Sequence, residues 1–160
     1  MKIQKAEAKD WPEIHKILGE IVKKGDTYAI STDADDQTLQ ELWMEKTKAC
    51  FVAVEGGQIA GSYYLKNNQE GGGSHVCNAG YIVHPEIRGK GIGRRMCEHS
   101  LSTSLKMGYK AMQYNLVVST NHDAVHLWES MGFSIAGTLP GAFVHPDKGT
   151  VDAYVMYRNL

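Results

Sequence analysis

The sequence predicts a mixed α/β fold: a central sheet of six to seven strands with helices on both faces. Three observations point there. Residues 51–65 read as an antiparallel hairpin, residues 75–118 run strand, helix, strand as in a crossover unit, and further segments show the period of amphipathic helices. A chain of 160 residues with 42% hydrophobic and 22% charged side chains suits one globular domain, taken as residues 1–160.

The elements follow in order. Residues 2–6 form a short first strand. Asp10 and Pro12 open a helix in which Ile14, Ile17, Leu18, Ile21 and Val22 recur at i, i+3, i+4, i+7 and i+8, and Gly25 ends it. Residues 25–33 are a loop carrying Tyr28. Residues 35–46 are a second helix burying Leu39, Leu42 and Trp43. Residues 51–54 and 59–65 flank a Glu-Gly-Gly turn as two strands, and a longer strand, 75–83, follows the loop Glu70-Gly71-Gly72-Gly73-Ser74. Residues 91–107 have helical spacing at Ile92, Met96, Cys97, Leu101 and Leu105, closed by Gly108. A strand at 111–118, a helix at 121–131 stopped by Gly132, and two strands around the turn 145–149 complete the chain.

Composition narrows the function. Seventeen Lys and Arg against 18 Asp and Glu leave a formal net charge of -1, so the basic footprint of a nucleic-acid binder is missing at whole-domain level. No apolar run reaches the roughly 20 residues that span a bilayer, and the start MKIQKAEAKDWPEI has no signal-peptide block, so no membrane partner is expected. Cys50, Cys77 and Cys97 are odd in number and fit no C-x-x-C pattern, which suits inert, structural thiols in a reducing cytoplasm. His122 and His126 stand at i, i+4 without an evident third ligand, and no metal site is expected.

The chemistry concentrates in Val83-His84-Pro85-Glu86-Ile87-Arg88-Gly89-Lys90-Gly91-Ile92-Gly93-Arg94-Arg95, where a strand runs into a glycine-rich turn and a helix start. Glycines at 89, 91 and 93 let backbone N–H groups approach an anion closely. Arg88, Lys90, Arg94 and Arg95 would repel one another at the positive end of a helix dipole unless a phosphate-bearing ligand lay among them. The alternative is a solvated basic turn. A nucleoside-triphosphate loop lacks support because no G-K-[ST] follows, and the G-x-G-x-x-G spacing of a dinucleotide fold is not met.

Written as R-x-x-G-x-G, Arg88 to Gly93 resembles the acetyl-coenzyme A pyrophosphate loop of the GCN5-related N-acetyltransferase superfamily. The stretch Asn121 to Phe133, with its Asn, Ala, aromatic and closing Gly-Phe, resembles that superfamily's later motif, and the element order agrees along essentially the whole chain. The resemblance implies an acetyl-CoA-dependent N-acetyltransferase with a splayed strand pair holding the cofactor. It places the pantetheine arm beside Ile82 and Val83, with the Ile82 N–H polarising the acetyl carbonyl. Such a donor is worth about 3 kcal/mol when lost. The cofactor-binding set becomes Ile82, Val83, Arg88, Gly89, Lys90, Gly91, Gly93, Arg94, Asn121 and Trp128. Asn121 also reads as an ordinary helix N-cap, and Trp128 as a core aromatic.

Two departures from the superfamily matter. Trp128 stands where many relatives carry a Tyr that protonates the leaving thiolate. A thiol of pKa about 8.5 leaves as thiolate near neutral pH at a cost of roughly 2 kcal/mol, so an acid is dispensable. Asn78 stands where the phosphinothricin-type branch has a glutamate base. An amine of pKa ~10 then carries a penalty of about 4 kcal/mol at pH 7, so either ordered water takes the proton or the substrate is a weaker base. Tyr81 is expected on the face opposite Asn78.

Asn78, Asn115 and Asn121, with Leu116, resemble the pattern of fungal acetyltransferases acting on proline analogues such as azetidine-2-carboxylate. That resemblance implies Asn78 and Asn115 as catalytic, substrate-handling amides; cross-strand hydrogen bonding is their structural alternative. Tyr28, Asn78, Asn115, Leu116 and Phe143 form the expected acceptor pocket, with Thr27, Trp43 and His145 nearby. The partner is then a small-molecule amine, an amino acid or proline analogue, attacking directly in a ternary complex. Alternatives are an acyl-CoA sensor without turnover and an enzyme acting on protein N-termini or lysines. Homodimers are frequent in the superfamily.

Overall fold

A computed structural model describes residues 1–87 and 89–160. In chain order, β1 (Lys2–Lys5) leads into α1 (Trp11–Lys24), α2 (Asp36–Gln40), β2 (Ala49–Glu55), β3 (Gln58–Asn67), β4 (Val76–Val83), α3 (Ile92–Lys106), β5 (Ala111–Val118), α4 (His122–Ser130), β6 (Ser134–His145) and β7 (Gly149–Asn159). The strands make one sheet in the order β1-β2-β3-β4-β5-β7-β6. It is antiparallel at every junction except β4–β5, so the expected mixed α/β architecture is present.

Burial explains the helices. Ile14, Ile17, Leu18, Ile21 and Val22 all lie inside, and Gly25 ends α1 at φ 69°, its N–H donating to Val22 O at 3.0 Å. Asp35 caps α2 by accepting from the Thr38 N–H at 2.8 Å. The uninterrupted helix expected over residues 35–46 does not form. After Gln40 the backbone makes a π turn at Glu41–Glu45, with Lys46 N–H donating to Glu41 O at 2.8 Å. The wider turn breaks the i, i+3 stripe, so Leu42, expected inside, is exposed while Trp43 stays buried. Leu105, expected on the buried stripe of α3, is likewise exposed in its last turn.

Two cores flank the sheet. Met96 and Cys97 of α3 cover one face against Tyr63, Leu65, Cys77, Met112 and Met156. On the other, α1 and the segment after it cover Cys50, Val52 and Ile82. Strand alternation therefore sends Cys77 toward α3 and Ile82 toward α1, which puts Tyr81 with the α3 core and Asn78 on the opposite side.

The site is positioned by a defect in this sheet. The parallel β4–β5 ladder contains only Val76↔Ala111 and Cys77↔Met112. Beyond them residues 78–83 and 113–118 have no ladder partner in each other, and the two strands diverge. The gap opens toward the N-terminus of α3.

Candidate active site

At the closed end of the gap Asn78 replaces the missing ladder with its side chain. Its Nδ2 donates to Gln113 O at 2.9 Å, one residue past the last paired position, and its Oδ1 accepts from the Tyr64 hydroxyl at 3.4 Å. The Tyr64 ring lies over Gly80, where any Cβ would sit 2.6 Å from Tyr64 Cε1, so that glycine is required for the approach. The cross-strand role foreseen as the alternative for Asn78 is thus physically present.

Higher in the gap, the backbone of β4 alternates between its neighbours. Tyr81 turns both polar groups away from β3: its N–H donates to the Tyr28 hydroxyl at 2.9 Å, and that hydroxyl donates to Tyr81 O at 2.7 Å. His84 N–H donates back across β3's side to Ala60 O at 2.9 Å. With Ser62↔Ile82 in register, Ile82 directs its backbone to β3 as His84 does, leaving Tyr81 and Val83 to face the gap. The donor expected from Ile82 is therefore committed to the sheet. The reason is register, which places odd-numbered residues of β4 at the opening.

Below the gap, α3 begins at Gly91 with φ 73°, after Gly89 with φ 81°, conformations that side-chain-bearing residues rarely adopt. No side chain caps this terminus and its first turn holds no acid. The first helical bond runs from Arg95 N–H to Gly91 O at 3.0 Å, so the N–H groups of Ile92, Gly93 and Arg94 precede the ladder. Arg94 is braced on the end of α4, with Nη2 donating to Ser130 Oγ at 2.8 Å. Lys90 is exposed, and Arg88 lies outside the described residues.

A cavity of about 600 Å³ joins these parts, lined by Tyr81, Ile82, Val83, Gly89, Gly91, Gly93, Arg94, Asn121, Trp128 and neighbours. Asn121 Oδ1 accepts from Ala124 N–H at 3.3 Å as the cap of α4 while also lining the cavity. Trp128 lines the cavity and packs 4.9 Å from the rings of Tyr81 and Tyr114.

A second cavity of about 420 Å³ lies on the Asn78 side, lined by Tyr28, Trp43, Tyr64, Lys66, Asn78, Asn115 and Leu116 among others. Tyr28 stands between the two, its hydroxyl bonded into the gap and its ring edge-on to Trp43 at 5.9 Å. Asn115 Nδ2 donates to Asn68 Oδ1 at 2.7 Å, and its Oδ1 accepts from Gln113 Nε2 at 2.9 Å. Phe143, expected here, lines neither cavity; it is buried in the β6–β7 hairpin opposite Val151. Thr27 and His145 line the first cavity, not the second.

The reactive groups are quiet. Burial raises the Tyr28 hydroxyl well above its ordinary value and pushes Tyr64 up to about 12. It also pushes the Cys50 and Cys97 thiols up to about 11, and it raises Cys77, whose Sγ donates to Ser104 Oγ at 3.5 Å on the α3 side. Among the described residues, no Asp, Glu or His lines the second cavity. Sequence reading missed Tyr64 and Lys66, whose only signal is alternation along β3. It also missed the gap-facing backbone of Tyr81.

The family comparisons agree with this geometry. The chain is similar to a GCN5-related N-acetyltransferase from Kribbella flavida, at 39% identity and a TM-score of 0.95, covering 99% of this chain and 97% of that one. It is 39% identical over 98 residues to the N-acetyltransferase aca1 of Schizosaccharomyces pombe, a match over 61% of this chain and only 47% of that protein. Its fold is also that of a GNAT-superfamily phosphinothricin acetyltransferase from Sinorhizobium meliloti solved with acetyl-CoA, at 20% identity, a TM-score of 0.88, and coverage of 99% and 88%. Residues 11–133 match the family model for acetyltransferases of the GNAT family, and the chain belongs to that family.

Proposed function

We propose that residues 1–160 act as one domain that transfers the acetyl group of acetyl-CoA to the amine of a small molecule, by direct attack in a ternary complex. The observation that carries this reading is the divergence of β4 and β5 directly above an uncapped helix N-terminus. The donor fits the residues present. Three backbone N–H groups and Arg94 meet the charge of a diphosphate, Val83 offers a free strand edge to an amide-bearing arm, and about 600 Å³ of space connects them. Gly89, Gly91, Gly93, Asn121 and Trp128 complete the proposed cofactor walls, with Arg88 and Lys90 adding long-range charge.

When bound, acetyl-CoA supplies an activated thioester. The chain's own part is to hold, orient and polarise. The Tyr81 N–H is the backbone donor in the gap, and it must exchange its Tyr28 partner for the thioester carbonyl to act there. Asn78 Oδ1 and Asn115 face the acceptor, orienting the amine without carrying charge. The amine nitrogen bonds to the acetyl carbon, the carbon–sulfur bond breaks, and the amine proton leaves to water, since the second cavity offers no carboxylate or imidazole. The buried thiols leave no nucleophile for a covalent route.

Thiol release measured with acetyl-CoA against small amines, amino acids and proline analogues tests the proposal. Turnover with such an acceptor is expected. Tight acetyl-CoA binding without turnover would instead mark a sensor, and turnover with peptides alone would mark a protein acetyltransferase.

A further inference from the structure

The acceptor cavity has a sign. Among the described residues that line it, Lys66 is the one charged residue and none is an acid. Among the described residues Lys66 takes part in no ion pair. Glu70, a nearby acid in sequence, is engaged by Asn67 Nδ2 at 3.5 Å. The Lys66 ammonium is instead held 5.4 Å from the centre of the Tyr64 ring, over the same face that bears Asn78. Lys66 and Asn78 are directly opposite in the β3–β4 register, a spacing of about 5 Å between Cβ atoms.

We propose that Lys66 is the carboxylate anchor of the acceptor site, so that the acceptor class is an α-amino or imino acid with an uncharged side chain. This deepens the acetyl-transfer reading and rests on it for the identity of the second cavity. An amino acid carries its amine and carboxylate two bonds apart. The facing pair Asn78 Oδ1 and Lys66 Nζ offers one acceptor and one charged donor at that scale. Ile30, Leu42, Trp43 and Leu116 supply apolar walls for the side chain. A cationic amine without a carboxylate would meet Lys66 with like charge.

The test is calorimetric titration of the CoA-bound protein with L-leucine, L-methionine and L-proline, beside leucinamide and 3-methylbutylamine, with thiol release measured in parallel. The wild type is expected to bind at least one of the amino acids more tightly than the compounds lacking the carboxylate. Lys66→Met keeps the apolar stem over Tyr64; it should weaken that amino acid roughly tenfold or more while 3-methylbutylamine binds no more weakly than to the wild type, and Lys66→Arg should restore most of the loss. Binding with this pattern but without thiol release supports the anchor and overturns acetyl transfer. No binding of the three amino acids, or a Lys66→Met loss shared equally by the amine, overturns the anchor whether or not transfer occurs.

Discussion

The Tyr28 hydroxyl is bonded to both backbone groups of one residue, accepting from Tyr81 N–H at 2.9 Å and donating to Tyr81 O at 2.7 Å, across 53 positions of sequence. A side chain here takes the place of a neighbouring strand. In a complete parallel sheet those groups would be satisfied by β5, which has already turned away.

Tyr28→Phe removes this satisfaction while keeping the ring against Trp43. Unfolding in urea should show a loss of about 1–2 kcal/mol without ligand, the cost of two inward polar groups left to imperfect hydration. Unchanged stability would mean that water replaces the hydroxyl fully.

Asn78 holds the gap at its narrow end and lines the second cavity, the proposed acceptor site, at once. Asn78→Ala should lower kcat/KM by tenfold or more, while the acetyl-CoA Kd stays within about twofold because the proposed anion site is at the other end of β4. An equal loss in both quantities would show that the variant has collapsed the gap.

A proposed acceptor cavity with no base among its described lining residues imposes its own pH dependence. Burial keeps Tyr28 and Tyr64 protonated through the neutral range, and no carboxylate or imidazole lines the acceptor cavity. The logarithm of kcat/KM should rise by one per pH unit until the acceptor's own amine pKa, and that break should move when an acceptor of different pKa is used. A fixed limb between pH 6 and 7, independent of the acceptor, would reveal a protein base.

The thiols supply a simpler check. Cys50 and Cys97, pushed up to about 11, and Cys77, also raised by burial, are all enclosed. A disulfide reagent at pH 8 should find no fast-reacting thiol in the native protein and three after denaturation. A fast native thiol would reopen the covalent route.

The legible parts of the molecule were those written in local patterns. The i, i+3, i+4 run of α1 and the glycine that closes it are local facts, and the structure buries each apolar residue named from them. Residues 111–118 read as a strand and form β5 with those bounds. The anion site expected at Gly89 to Gly93 is read from glycines and cations that lie within one short stretch, residues 88–95. What local pattern could not give was register. Whether Tyr81 or Ile82 faces the gap depends on the pairing Ser62↔Ile82, and whether Lys66 faces Asn78 depends on the same ladder. Leu42 was misjudged because one π turn shifts the helical stripe. Phe143 was misplaced because the long β6–β7 hairpin buries it within its own pairing.

The most direct measurement titrates acetyl-CoA into the wild type and into Gly91→Glu, with Gly108→Ala as a control for glycine strain past the opposite end of α3. Gly91 and Gly108 both have positive φ, at 73° and 92°, but only Gly91 starts α3. Saturable heat with the wild type and the control, abolished in Gly91→Glu while its urea unfolding remains cooperative, is the expected result. No heat from well-folded wild type at millimolar acetyl-CoA, or undiminished binding by Gly91→Glu, would contradict a diphosphate held at the start of α3.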